Sequence, residues 1–192
     1  SGFTISVAQA YGARKFDKMN KYAGNSISLA LVIGMVIMIV AHFLSRPLLK
    51  AIDTPDDIID MSAQYIDVLY YAVPIQMSLN NFNALSRAVG DSKRPLYFLI
   101  VSVIVNLLLD ILFVGAFKWG VIGAAWATAI SELVAAVLSA ISVLKYTEEY
   151  NIDKTALKID GKVSWAQIKI GIPISLQFSI TSIGSMVLQT AV

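Results

Sequence analysis

The chain has 192 residues, 57% of them hydrophobic and only 15% charged, against roughly 25% charged in an ordinary soluble domain. With a mean hydropathy of +0.69, this composition excludes a soluble globular protein and predicts an all-α membrane protein with several spans. The net charge of +2 is read as membrane orientation and not as nucleic-acid binding. The absence of cysteine excludes disulfides, thiolate metal sites and cysteine nucleophiles, and the single histidine, His42, cannot build a metal site alone.

A bilayer core of about 30 Å needs roughly 20 helical residues, and five stretches meet that need after a leading segment, 2–11, that reads as the end of another span. The first, 26–49, carries only His42 and Arg46 near its far end, where a long basic side chain reaches the headgroups. The second, 61–85, is more polar, with Gln64, Asp67, Gln76, Asn80, Asn81 and Asn83 beside a mid-helix Pro74, so one face must look at other helices or at water. The third, 96–117, and the fourth, 121–144, are joined by the short connection from Gly115 to Gly120 and should form an antiparallel hairpin. A fifth starts after Trp165 and Lys169 and passes through Pro173, with Gly171, Ser175, Ser179 and Gly184 suited to close helix packing. The chain opens on Ser1 and is still apolar at Val192, so it is expected to be an interior piece of a longer membrane protein.

Lys and Arg collect in cytoplasmic loops. Of fifteen basic residues, twelve fall in alternate connections: Arg14 to Lys21, Arg87 to Arg94, and Lys145 to Lys169. The other side receives Arg46, Lys50 and Lys118. Between the first two spans, Thr54-Pro55-Asp56-Asp57 reads as an N-cap, an N1 proline and an acidic first turn. Gly90 and Pro95 are placed to end the second span and open the third. The polar stretch 145–164 reads as an interdomain linker.

The chemistry concentrates in the hairpin. Asn106 and Asp110 are four residues apart in the third span and share one helix face. An aspartate flanked by Leu107 to Leu109 and Ile111 to Phe113 costs about 3 kcal/mol or more at mid-bilayer unless it is neutral, paired or hydrated. No Lys or Arg lies in this span or the next, so its companion is a polar group, a helix outside the chain, a proton or a bound cation. Thr128 and Glu132 share a face of the fourth span, and the hairpin can bring Asn106, Asp110, Thr128 and Glu132 together. Such oxygen ligands suit a hard cation, while a carboxyl in low dielectric suits a proton. The plain alternative for Asp110 is a hydrogen bond that only holds helices together. Glu132 is placed toward the membrane surface by its distance from Leu144. Tyr65, Tyr70, Tyr71 and Phe82 are a candidate lining for cationic, apolar compounds, each explicable also as packing. Nucleophile-elbow, P-loop and zinc-helix signatures are missing, and no enzyme activity or cofactor is expected.

Three blocks occur in order at fixed spacing: Arg87-Ala-x-Gly90-Asp91-x-x-x-Pro95, Asn106-x-x-x-Asp110, and Trp119-Gly-Val-x-Gly-Ala-Ala-Trp-Ala-Thr128. With the leading Ala10-Tyr-Gly12-Ala-Arg14, they resemble the multidrug and toxic compound extrusion (MATE) family, most closely its DNA-damage-inducible branch. The resemblance implies a twelve-helix transporter of two six-helix lobes, here from the end of helix 2 to the start of helix 7. It assigns 1–144 to the first lobe, 145–164 to a cytoplasmic interlobe linker and 165–192 to the start of the second lobe. It further implies a Na⁺ or H⁺ antiporter of drug-like small molecules in a prokaryotic inner (plasma) membrane. Asp110, Asn106 and Thr128 match the family's coupling-ion residues, a Na⁺ site included. The family's acidic residue on helix 1 lies outside the chain, so the rest of the same protein is a necessary partner, as is membrane lipid. Glu132 stands where relatives often have Gln and receives no role. A lipid-linked oligosaccharide flippase would be expected to carry more cationic residues in its cavity, and a non-transport scaffold would use its polar residues only as helix glue.

Overall fold

The computed structural model describes residues 2–51, 58–152 and 156–190, and every regular element among them is helical. A 3-10 turn (Gly2–Thr4) leads into α1 (Ile5–Gly12), α2 (Phe16–Ala51), α3 (Ile59–Ala88), α4 (Lys93–Asp110), α5 (Gly120–Ile141) and α6 (Gly161–Thr190). π-helical segments prolong α4 over Ile111–Ala116 and α5 over Ser142–Tyr146. The five long helices expected are all present. The helix start read at Thr54 to Asp57 lies outside the described residues.

Three stretches, Phe16–Lys50, Lys93–Ala116 and Gly120–Tyr146, are long and apolar enough to cross a membrane. α3, with 30 residues, has the length, roughly 45 Å at 1.5 Å per residue, but not that apolarity. For α3 the reason is its neighbours: it packs against α2 on one side and α5 on the other, which shelter polar side chains that lipid would not accept. α5 in turn lies between α3 and α4, while α1 and α6 rest on α2. Outward faces are left apolar, with Val36, Phe43, Leu99, Leu107 and Ile111 exposed.

Gly34 sets the crossing of α2 over α3. A Cβ there would stand 2.7 Å from the Cα of Pro74, so glycine alone allows the backbones this close. Pro74 lacks the N–H that would serve the carbonyl of Tyr70, and Ser78 Oγ bonds back to the Pro74 carbonyl at 2.7 Å, a pattern that bends helices. α3 ends at Ala88, with Gly90 at φ 89° two residues on, and α4 begins at Lys93 with Pro95 in its first turn, as the sequence predicts.

The basic ends of the helices meet. Arg94 Nη1 donates to the Tyr146 carbonyl at 3.1 Å and to Thr147 Oγ1 at 3.3 Å, and Lys21 Nζ lies 2.8 Å from Asp160. At the other end Arg46 pairs with Asp60 at 2.9 Å. This grouping agrees with the loop assignment from charge. A core of Val7, Met19, Leu85 and Val143, all fully buried, sits at the basic end.

The stretch 145–164 is helical as far as Tyr146 and again from Gly161, and the residues next to those helices are docked rather than loose. Tyr150 is buried against the core and its hydroxyl donates to the Leu85 carbonyl at 2.9 Å. Asp160 Oδ1 accepts from the backbone N–H of Lys162 and Val163, capping α6. The Lys21 ammonium, followed by those two amides, holds its carboxyl below the usual range. A buried amide network then ties α6 to the start of the chain. Asn25 Nδ2 donates to Gln167 Oε1 at 2.7 Å and Ser164 Oγ at 3.1 Å, while Gln167 Nε2 donates to the carbonyls of Tyr22 (2.9 Å) and Phe3 (3.1 Å).

Two outcomes follow. Gly34→Val over-packs the α2/α3 crossing and should destabilise the full-length protein by roughly 1–3 kcal/mol, read as a lower unfolding temperature in detergent. Burial, with smaller effects from Glu149 and Tyr11, raises the ionisation of the Tyr150 phenol. Its stabilising contribution is therefore complete below the ordinary tyrosine value, about 10, and is lost as pH climbs through the raised value. Tyr150→Phe should cost about 1 kcal/mol at neutral pH and remove part of the stability loss seen on alkaline titration.

Candidate functional site

The site grows from the packing of α4 on α5. The two helices run antiparallel, joined at one end by Arg94 with Tyr146 and at the other by a turn through Lys118 (φ 57°) and Gly120 (φ 57°). Ser102 Oγ on α4 donates to the Ser131 carbonyl on α5 at 3.1 Å, which sets the register one turn below the residues of interest. Asn106, one turn further along α4, directs Nδ2 to Thr128 Oγ1 at 3.5 Å, at the long limit of a hydrogen bond. Thr128 Oγ1 also donates back to the Ala124 carbonyl at 3.1 Å.

Asp110 follows one more turn outward. It is half-buried, and its Oδ1 is shut away from solvent with no hydrogen-bond partner. Directly after it the helix widens into the π segment, where the Phe117 amide donates to the Leu112 carbonyl five residues back at 2.9 Å. Such single π turns are frequent at functional sites, and nothing in the apolar run Ile111 to Val114 announced this one. Rings of Phe113 and Trp119 stack at 5.0 Å, with Phe117 5.5 Å from Trp119, closing the hairpin tip beyond Asp110.

Of the four polar residues expected to converge, Asn106 and Thr128 meet, and Asp110 adds an unpartnered carboxyl oxygen one turn away. Glu132 turns elsewhere: Gln76 Nε2 on α3 donates to its Oε1 at 3.2 Å. Its position also differs from the expectation of a surface residue. Because the helix runs from Gly120 to Tyr146, Glu132 stands near the middle of the span. Gln76 was visible in the sequence only as one of many polar residues of its span, and its pairing depended on which neighbour α3 would take. Among the aromatic set, Phe82 belongs to the buried core and Tyr71 stacks on His42, whose Nδ1 lies 3.2 Å from Asp67 Oδ1.

Among the described residues no group of three or more His, Cys, Asp or Glu side chains could hold a metal ion. A hard cation bound at this hairpin would therefore take one carboxylate together with neutral oxygens, the amide of Asn106 and the hydroxyl of Thr128.

Comparisons with known proteins concern the chain as a whole. The MatE family model matches residues 1–112. A probable multidrug resistance protein of Bacillus subtilis, YoeA, is 30% identical over 97% of this chain and 42% of its own length. The multidrug export protein MepA of Staphylococcus aureus is 23% identical over 95% of this chain and 40% of its own. A crystal structure of MATE in the bent conformation superposes with a TM-score of 0.87 at 24% identity, covering 96% of this chain and 42% of that one, which shows the shared fold. The chain thus spans about two fifths of the length of these relatives. With the family model matched over more than half of its residues, the chain belongs to the MatE family.

Proposed function

We propose that this chain is part of a cation-coupled antiporter that exports drug-like and other small organic compounds, many of them cationic, across a prokaryotic inner (plasma) membrane. Asp110, Asn106 and Thr128 bind the coupling ion, Na⁺ or H⁺. Residues 1–144 form the first lobe, 145–164 the cytoplasmic connection and 165–192 the start of the second lobe. The observation that carries this reading is the Asp110 carboxyl oxygen, enclosed in an apolar span without a partner, one turn from an amide and a hydroxyl that already face each other. An ionised carboxylate in such a place is costly, and a mobile cation or proton offsets that cost only while it is bound. Differential affinity of two conformations for the ion and for the exported compound is then sufficient to drive exchange. Membership of the MatE family and the names of the bacterial relatives support the same reading, and the rest of the protein completes the machine.

The test uses the full-length protein in lipid vesicles, with ethidium efflux followed under an imposed Na⁺ gradient and, separately, an imposed H⁺ gradient. Asp110→Asn keeps the size and shape of the side chain but removes the charge. A charge-assisted contact is worth about 1.5–3 kcal/mol, so gradient-driven efflux should fall by roughly ten- to hundredfold in whichever gradient drives the wild type. Unchanged efflux in the variant means that Asp110 only joins helices, and the coupling role is lost.

A further inference from the structure

We infer that Glu132 is a second proton-binding carboxyl of this lobe, held by Gln76 and placed across the Asn106–Thr128 contact from Asp110. The inference rests on the antiporter reading for its purpose, but its geometry is independent of it.

α3 and α5 run parallel and bond twice at the same interval. Gln76 donates to Glu132 at 3.2 Å, and seven residues on along each helix Ser139 Oγ donates to Asn83 Oδ1 at 3.1 Å. Seven residues are two turns, so the two bonds lie on one seam, roughly 10 Å apart along the axis. The same face of α3 carries Gln76, Asn80, Asn83 and Arg87, spaced four, three and four residues, which forms a polar stripe from mid-span to the basic end. Beside it opens a cavity of about 340 Å³ lined by Phe3, Ala30, Met77, Asn80, Asn81 and Arg87, roomy and polar enough for water. Water can thus approach within a turn of Gln76 from the end read as cytoplasmic.

On the other side, Thr128 lies one turn outward of Glu132 on α5 and meets Asn106, and Asp110 lies one turn outward of Asn106 on α4. Along the helix axes the two acids are therefore about two turns apart, with the Asn106–Thr128 contact at the level between them. The partner facing Glu132 from α3 is the neutral Gln76, and the α4 face packed on α5 offers Ser102, Asn106 and Asp110. Charged groups of α3 are distant along the helix, Asp60 and Asp67 outward and Arg87 at the basic end, with Tyr70 and Tyr71 more than a turn outward. Those at the start of α4, Lys93 and Arg94, lie at that same basic end. With no fixed cation facing it from α3 or α4, the carboxylate exchanges its proton with water reaching it along the polar stripe from the cavity one turn away. A metal ion fits less well, because the bond Glu132 makes is to a donor, not to further oxygens.

The measurement is infrared pH titration of the full-length protein in lipid vesicles, with H⁺-driven ethidium efflux in parallel. A carboxyl in apolar surroundings absorbs at higher frequency than one in water. Glu132→Gln keeps an acceptor for Gln76, and the expected result is the loss of one titrating high-frequency carboxyl band and a several-fold fall in H⁺-driven efflux at an unchanged unfolding temperature. Gln76→Leu leaves the acid but removes its donor, and the midpoint of that same band should shift. A spectrum unchanged in Glu132→Gln, or a midpoint unmoved in Gln76→Leu, overturns the inference. Asp110→Asn is the separate arm: its failure to reduce efflux would sink the coupling site while the Glu132 band still decides this claim.

Discussion

Inside a bilayer no water is available to satisfy a polar group, so each one has to find its partner within the protein. α5 is where this chain meets that constraint. Its buried positions are small, Gly123, Ala125, Ala127, Ala129, Ser131, Ala135, Ala136 and Ser139, so α3 and α4 can both approach its backbone closely. Close approach brings the short side chains within reach: Ser102 touches the Ser131 carbonyl, Asn83 the Ser139 hydroxyl, and Asn106 the Thr128 hydroxyl. Larger residues along α5 would hold the helices apart and leave those groups unpaired.

Within these helix contacts the two acids of the hairpin differ from each other. Glu132 has an amide donor, so its environment supports either protonation state in part. Asp110 has an enclosed oxygen with no donor at all, at the point where α4 gives way to a π turn. The extra residue in that turn displaces the Ile111 to Ala116 backbone relative to a continuous α-helix, and the stacked Phe113, Phe117 and Trp119 rings lock the displaced segment. An orphaned acid beside an irregular turn is the feature on which the proposed coupling-ion site rests.

The basic end solves the same constraint differently. There α6 is joined to the opening of the chain by amide bonds of Asn25 and Gln167, both essentially without exposure, and by the Lys21 and Asp160 pair in partial contact with solvent. Hydrogen bonds of this sort are directional and each contributes only about 1 kcal/mol net, because water offers nearly equivalent partners. The seam therefore specifies one arrangement sharply without binding it strongly, whereas the apolar core of Val7, Met19, Leu85 and Val143 beneath it would resist separation.

How much of this was legible depended on whether the signal was local. Helix number, the hairpin and the turn at Gly90 and Pro95 follow from apolar run length and backbone chemistry, which a sequence displays directly. Asn106 and Asp110 were legible because a four-residue spacing on a helix has one geometric meaning. Gln76 was not paired with Glu132, because that contact requires knowing that α3 lies parallel to α5 rather than beside α4, and no local pattern in either helix encodes the choice. Tyr150 was hidden in a polar stretch for the same reason: among Glu148, Glu149 and Asn151 it reads as linker, and only the carbonyl of Leu85, 65 residues earlier, gives its hydroxyl a reason to be buried. Residues that bond across the bundle are the ones a single sequence conceals. The carboxylate most misplaced by distance counting, Glu132, was accordingly the one whose partner lay on a helix two elements away.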